Sequence, residues 1–75
     1  MEKADAINKI LKLDLCIGDA WVHIVNKKTY YIHDITAQPN TTDTSKYHVR
    51  IGLIDINYIP ISEELSEFYK FFSKI

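Results

Sequence analysis

From Lys46 to Ile54 the chain alternates without a break. Tyr47, Val49, Ile51 and Leu53 are apolar, and Lys46, His48, Arg50 and Gly52 separate them. A period of two residues sends the two sets to opposite faces of an extended strand, one toward a core and one toward water. Such a strand cannot stand alone, because its backbone N–H and C=O groups need neighbours. The stretch obliges the rest of the chain to supply a sheet and a cover for its apolar face.

Two other runs can join it. Ala20 to Val25 is apolar and β-branched, and Thr29 to Ala37 is of the same kind. The polar Asn26-Lys27-Lys28 between them predicts a hairpin, although the Asn-Gly pair typical of tight hairpins is missing. Gln38 to Ser45 (QPNTTDTS) reads as a loop, and Pro39 argues against a central strand there. Asp55-Ile56-Asn57 reads as a turn, and Tyr58 to Ile61 as a short edge strand limited by Pro60.

Helices are expected at both ends. Ala6, Ile7, Ile10 and Leu11 fall on one side of a helix from about Lys3 to Leu13. Gly18-Asp19 is the turn signal of the connector that follows. Near the C-terminus Ser62 is the expected N-cap, with Glu63 and Glu64 in the first turn. Leu65, Phe68, Tyr69 and Phe72 then recur at i, i+3, i+4 and i+7, with Lys70 and Lys74 toward the end. The expected fold is a single α+β domain over residues 1–75. Its three- to four-stranded antiparallel sheet carries an N-terminal and a C-terminal helix.

Composition matters here for what must hold so small a domain together. With 75 residues, apolar burial barely offsets the ordering entropy. The one cysteine, Cys16, excludes an intrachain disulfide and agrees with a cytoplasmic setting. In the apolar run Leu13 to Ile17 it is expected as a small buried side chain rather than a nucleophile. A partner or a second copy is the remaining source of stabilisation. The formal net charge of −1 gives no global attraction to nucleic acid or membrane. No secretion signal and no span of about 20 apolar residues is visible. Abundant Ile, Lys, Asn, Tyr and Phe point to AT-rich coding, as in many phages and low-GC bacteria.

Strand parity assigns the faces. With the hairpin folded about Lys27, Val22 and Ile24 join Tyr30 and Ile32 on the core side. Trp21, His23, Tyr31 and His33 then fall outward together with Lys46, His48 and Arg50. Parity fails beyond His33, where Asp34 would turn inward. A β-bulge at His33-Asp34 would restore it, unless the strand ends at Ile32. Trp, Tyr and Arg are the types enriched at binding hot spots, so these seven residues form the expected partner-binding face.

The other chemistries are weaker. His23, His33 and His48 lack metal-ligand spacing, and no metal or other cofactor is expected. Glu63 and Glu64 are explained by the helix, while Asp19, Asp43 and Asp55 sit in turn-like sequence. No carboxylate pair has an evident pocket, so no enzymatic activity is expected. Aromatic residues beside Lys46 and Arg50 would also suit a small nucleic-acid-binding module. A homodimer that buries the face on itself is a third reading.

The order Trp21-Val22-His23, a polar tip, Tyr30-Tyr31-Ile32, a polar loop, Tyr47-His48-Val49-Arg50-Ile51 and Ile59-Pro60 before an aromatic helix resembles small uncharacterised bacterial and phage proteins of SH3-like barrel type. The likeness spans about Ala20 to Phe72. The N-terminal helix has no counterpart in that group, and Ile59-Pro60 stands where those proteins often have Arg-Pro. The resemblance implies a sheet curled as a half-barrel and carries over no catalytic residue. The expected function is a non-enzymatic protein-binding module. Its most concrete form is a phage or mobile-element inhibitor that occupies a host enzyme or defence complex.

Overall fold

The structure, a computed structural model, describes residues 2–75. The described elements run in the order α1 (Lys3–Leu11), β1 (Ala20–His23), β2 (Thr29–Pro39), β3 (Tyr47–Ile54), β4 (Pro60–Glu64), α2 (Leu65–Phe71) and β5 (Phe72–Lys74). The strands form one antiparallel sheet in the order β4-β3-β2-β1-β5. The α+β class, the antiparallel pairing and a helix near each end are as the sequence implies.

The β3 alternation is realised in full. Val49, Ile51 and Leu53 are buried, and Tyr47 packs against the same cluster. Ile32 and Tyr30 join them from β2, Trp21 from β1 and Phe72 from β5. Leu65 and Phe68 of α2 cover this face, and Ala6 of α1 is fully buried against it. Ala6 brings α1 close because its side chain is small, while Ile10 packs beside the core.

Of the two outcomes that parity allowed, β2 takes the bulge and does not end at Ile32. Ile32 opposes Leu53 and Asp34 opposes Gly52, so His33 is the extra residue. After this slip Ile35 lies opposite Ile51 and packs against the core, and Asp34 is exposed. Beyond the bulge β2 continues to Pro39, past the residue at which a loop was expected. β1 pairs with β2 only over Thr29 to Tyr31, so the far half of β2 has β3 alone as its strand neighbour. The missing N–H of Pro39 therefore breaks no ladder on the other side.

The C-terminal region differs from the reading of one continuous helix. Ser62, Glu63 and Glu64 belong to β4, opposite Gly52, Ile51 and Arg50. Ser62 is no helix cap: Glu64 occupies the N-cap position and makes no side-chain capping bond. Phe72 leaves the helix in extended conformation and starts β5 opposite His23. Leu65, Phe68 and Phe72 still share one buried cluster, because helix i+3 and a turn into the adjacent strand bring them to the same face. The helical spacing was genuine and its last member came from a strand.

Candidate functional site

The hairpin geometry decides which aromatic residues can meet a partner. Trp21 opposes Tyr30 and Val22 opposes Thr29. Four residues, Ile24 to Lys27, separate the paired His23 and Lys28, whose backbone bond is 2.9 Å. Lys27 closes this turn at a φ of 63°, a left-handed conformation that few lysines adopt. Relative to a turn centred on Lys27, the register shifts by three residues, an odd number, so every β1 side chain changes face. Trp21 is thus a core residue, 7 % exposed, with its ring 4.7 Å from Phe68. Its assignment to the partner-binding face is overturned. Its indole Nε1 is buried with no hydrogen-bond partner, a cost of about 1–3 kcal/mol that the aromatic packing must offset.

His23 follows Trp21 to the covered side. Its ring meets Phe72 edge-on at 4.9 Å and stacks on Phe71 at 6.2 Å. Its Nδ1 accepts the backbone N–H groups of Val25 and Asn26 at 3.2 and 3.3 Å. That bonding requires Nδ1 to be unprotonated, with the ring proton on Nε2. His23 is a turn-forming residue rather than part of a contact surface. Phe71 is held by this stack and packs against the core.

The rest of the expected face remains on the open side of the sheet and divides in two. At one end stands Tyr31, opposite Ile54, while its neighbour Tyr30 points into the core. Two adjoining grooves meet at Tyr31. One, about 400 Å³, is lined by Ile17, Gly18, Tyr31, Ile32, His33, Ile54, Asp55, Ile56 and Tyr58. The other, about 380 Å³, is lined by Lys28, Thr29, Tyr31, Asp55, Ile56 and Asn57. Ile56 is 84 % and Tyr58 80 % exposed.

The turn that presents them is well braced. Asp55 Oδ1 accepts the N–H groups of Asn57 and Ile59 at 2.9 and 3.1 Å. The Tyr58 N–H bonds Asp55 O at 3.0 Å. Tyr58 itself sits at a φ of 60°. A left-handed tyrosine costs on the order of 1 kcal/mol, and here it holds a large aromatic ring in water.

At the other end the side chains are bound to one another. Arg50 donates from Nε to Ser62 Oγ at 2.7 Å and from Nη2 to Ser62 O at 2.9 Å. Arg50 Nη1 lies 3.5 Å from His48 Nε2, and His48 Nδ1 lies 2.6 Å from Asn40 Oδ1. With the Asn40 carbonyl as acceptor, the His48 proton sits on Nδ1 and Nε2 is free to accept from Arg50. An open groove of about 560 Å³, with Tyr47, Val49 and Leu65 also in its lining, runs past this chain from Lys9 to Glu64 and Ser66.

His33 joins the two ends. A Cβ added at Gly52 would lie 3.0 Å from His33 Nε2 and 3.0 Å from Asp34 Cβ, so the imidazole lies over the bare glycine. Lys46 is exposed in the turn before β3, where its carbonyl accepts the Asn40 N–H at 2.8 Å.

Of the seven expected contact residues, the open face therefore keeps Tyr31, His33, His48 and Arg50, with Lys46 at its margin. It gains Ile17, Ile56 and Tyr58, which single-strand parity could not reach because they lie in turns. Cys16 is exposed, and Leu15 takes the buried place expected of it. The Cys16 N–H donates to Asp19 Oδ2 at 3.0 Å, and the same carboxylate pairs with Lys74 at 3.4 Å.

Among the described residues, no group of three or more His, Cys, Asp or Glu is placed to hold a metal ion, and no helix is long and apolar enough to cross a membrane. No protein-family model, curated protein or solved structure matches this chain.

Proposed function

We propose that this chain is a non-enzymatic protein-binding module whose contact surface is the apolar end of the open sheet face. The observation that carries the reading is Tyr31 between two grooves, with Ile56 and Tyr58 held out into water beside it. Large side chains held in water by a braced turn lower the entropy cost of docking, because their backbone is already fixed. The polar end supports the same reading by contrast. Its arginine is committed to Ser62, so it offers little for the phosphate contacts a nucleic-acid-binding module would need.

In its most concrete form the module is a small phage or mobile-element inhibitor that covers a surface of a host enzyme or defence complex in the host cytoplasm. Small size and AT-rich composition favour that setting. The test is affinity capture from host cells with the wild-type protein and with the Tyr31→Ala/Tyr58→Ala variant, read by mass spectrometry and titration. The partner's affinity for the variant is expected to fall by about 30-fold or more, which corresponds to about 2 kcal/mol at a hot-spot pair. Undiminished affinity in a folded double variant would sink the reading.

A further inference from the structure

The apolar end of the open face is built in a way that also fits a second copy of this chain. At about 200 Å² per large side chain, Ile17, Tyr31, Ile56 and Tyr58, each 42–84 % exposed, present about 540 Å². The largest apolar patch on a typical monomer covers about 300–600 Å² and is often functional, and this one lies toward the upper end. Each partner in a stable interface buries about 600 Å² or more, so the polar groove residues Lys28, Thr29 and Asn57 complete the contact.

Two features of the patch suit a two-fold arrangement. A projection and a recess lie side by side: Ile56, 84 % exposed, lines both grooves beside Tyr31, and Tyr58, 80 % exposed, lines one of them beside Ile54. A two-fold axis beside them would seat each copy's projection in the other's recess, so every favourable contact occurs twice. Charge follows the same logic. Lys28 and Asp55 line one groove with opposite signs, so two copies facing each other can match Lys28 with Asp55 in both directions. The sheet edges offer no equal route. β4 begins at Pro60 and carries Glu63 and Glu64, and β5 has only three residues.

We infer that, without its partner, this chain pairs with itself as an isologous dimer through the Tyr31–Ile56–Tyr58 patch. The inference rests on the reading of this patch as a protein-binding surface. A dimer also answers the stability problem of a 75-residue core by burying further apolar area.

Sedimentation equilibrium of the purified full chain, from about 5 to 500 µM, tests it in the range expected for so small an interface. The weight-average mass is expected to rise from 8.7 kDa toward twice that value. The Ile56→Asp/Tyr58→Asp variant is expected to stay at the monomer mass. Both side chains are exposed, and aspartate tolerates left-handed backbone better than tyrosine, so the variant keeps its fold. Val25→Asp, at the exposed hairpin tip, is expected to pair like the wild type.

A wild-type mass fixed at 8.7 kDa, or equal self-association of the Ile56→Asp/Tyr58→Asp variant, overturns the dimer. Failure of the dimer and failure of the binding module are distinct outcomes. A monomer whose host partner is lost with Tyr31→Ala/Tyr58→Ala overturns the dimer alone. A dimer whose partner binds that variant undiminished overturns the module alone.

Discussion

The two ends of the open sheet face lie along the same strand, β3, and behave in opposite ways. At the polar end Arg50, His48, Asn40 and Ser62 satisfy one another across β3, β4 and the loop after β2. At the apolar end Tyr31, Ile56 and Tyr58 face water beside open grooves. Residues of hot-spot type thus serve two purposes. Arg50 ties strands together, and Tyr31 remains available. A list of exposed aromatic and basic residues cannot separate the two, because the difference lies in whether each side chain already has partners.

The largest effect that can break this division concerns Trp21, the residue that moved from the contact face to the core. Trp21→Ala is expected to cost about 3–5 kcal/mol of folding stability, because it empties the space against Phe68 and Tyr69. Urea unfolding read by circular dichroism measures it. A loss within about 0.5 kcal/mol, as at an exposed site, would return Trp21 to the surface and reverse the face assignment. At the polar end, Arg50→Met should cost about 1–2 kcal/mol, since it leaves Ser62 without its donor and keeps most of the side-chain volume. Partner affinity should hardly change in this variant. A stable Arg50→Met protein with weakened binding would make the polar end the contact surface instead.

The smallest effect lies in the loop between β2 and β3. The Ser45 hydroxyl, at 2.6 Å, and then its backbone N–H hold the Asp43 carboxyl below its ordinary value of 3.8. A carboxylate with a depressed folded-state value adds stability above the unfolded value and loses it as pH falls through the folded one. Melting curves between about pH 5 and pH 2 should therefore fall less steeply for Asp43→Asn than for the wild type. Parallel acid profiles for the two proteins would show that this hydrogen-bonded turn contributes nothing to folding.

Much of this arrangement was legible in the sequence, and the misses share a cause. The β3 pattern and the inward Tyr30 and outward Tyr31 follow from side chains that alternate along one strand, and the bulge at His33 is one of the two outcomes that alternation leaves open beyond Ile32. Trp21 and His23 were misplaced because their face depends on a turn. Four residues closed by a left-handed Lys27 carry no glycine to announce them. The C-terminal helix was read too long because Phe72 satisfies helical spacing and a buried strand position equally well. Cys16 was read from its apolar neighbours, while its backbone N–H is drawn into a turn by the Asp19 carboxylate. The apolar end itself was half visible. Tyr31 lay on a strand, but Ile17, Ile56 and Tyr58 reach it from turns, and turn conformation fixes where they point.

Footprinting of the protein on its captured partner measures the division of the face most directly. Hydroxyl-radical labelling reads both ends at once, through the side chains of Tyr31, Ile56 and Tyr58 at one and His48 and Arg50 at the other. Complex formation is expected to protect Tyr31, Ile56 and Tyr58 and to leave His48 and Arg50 labelled as in the free chain. Protection of His48 and Arg50, with Tyr31 and Tyr58 still fully labelled, would contradict the account.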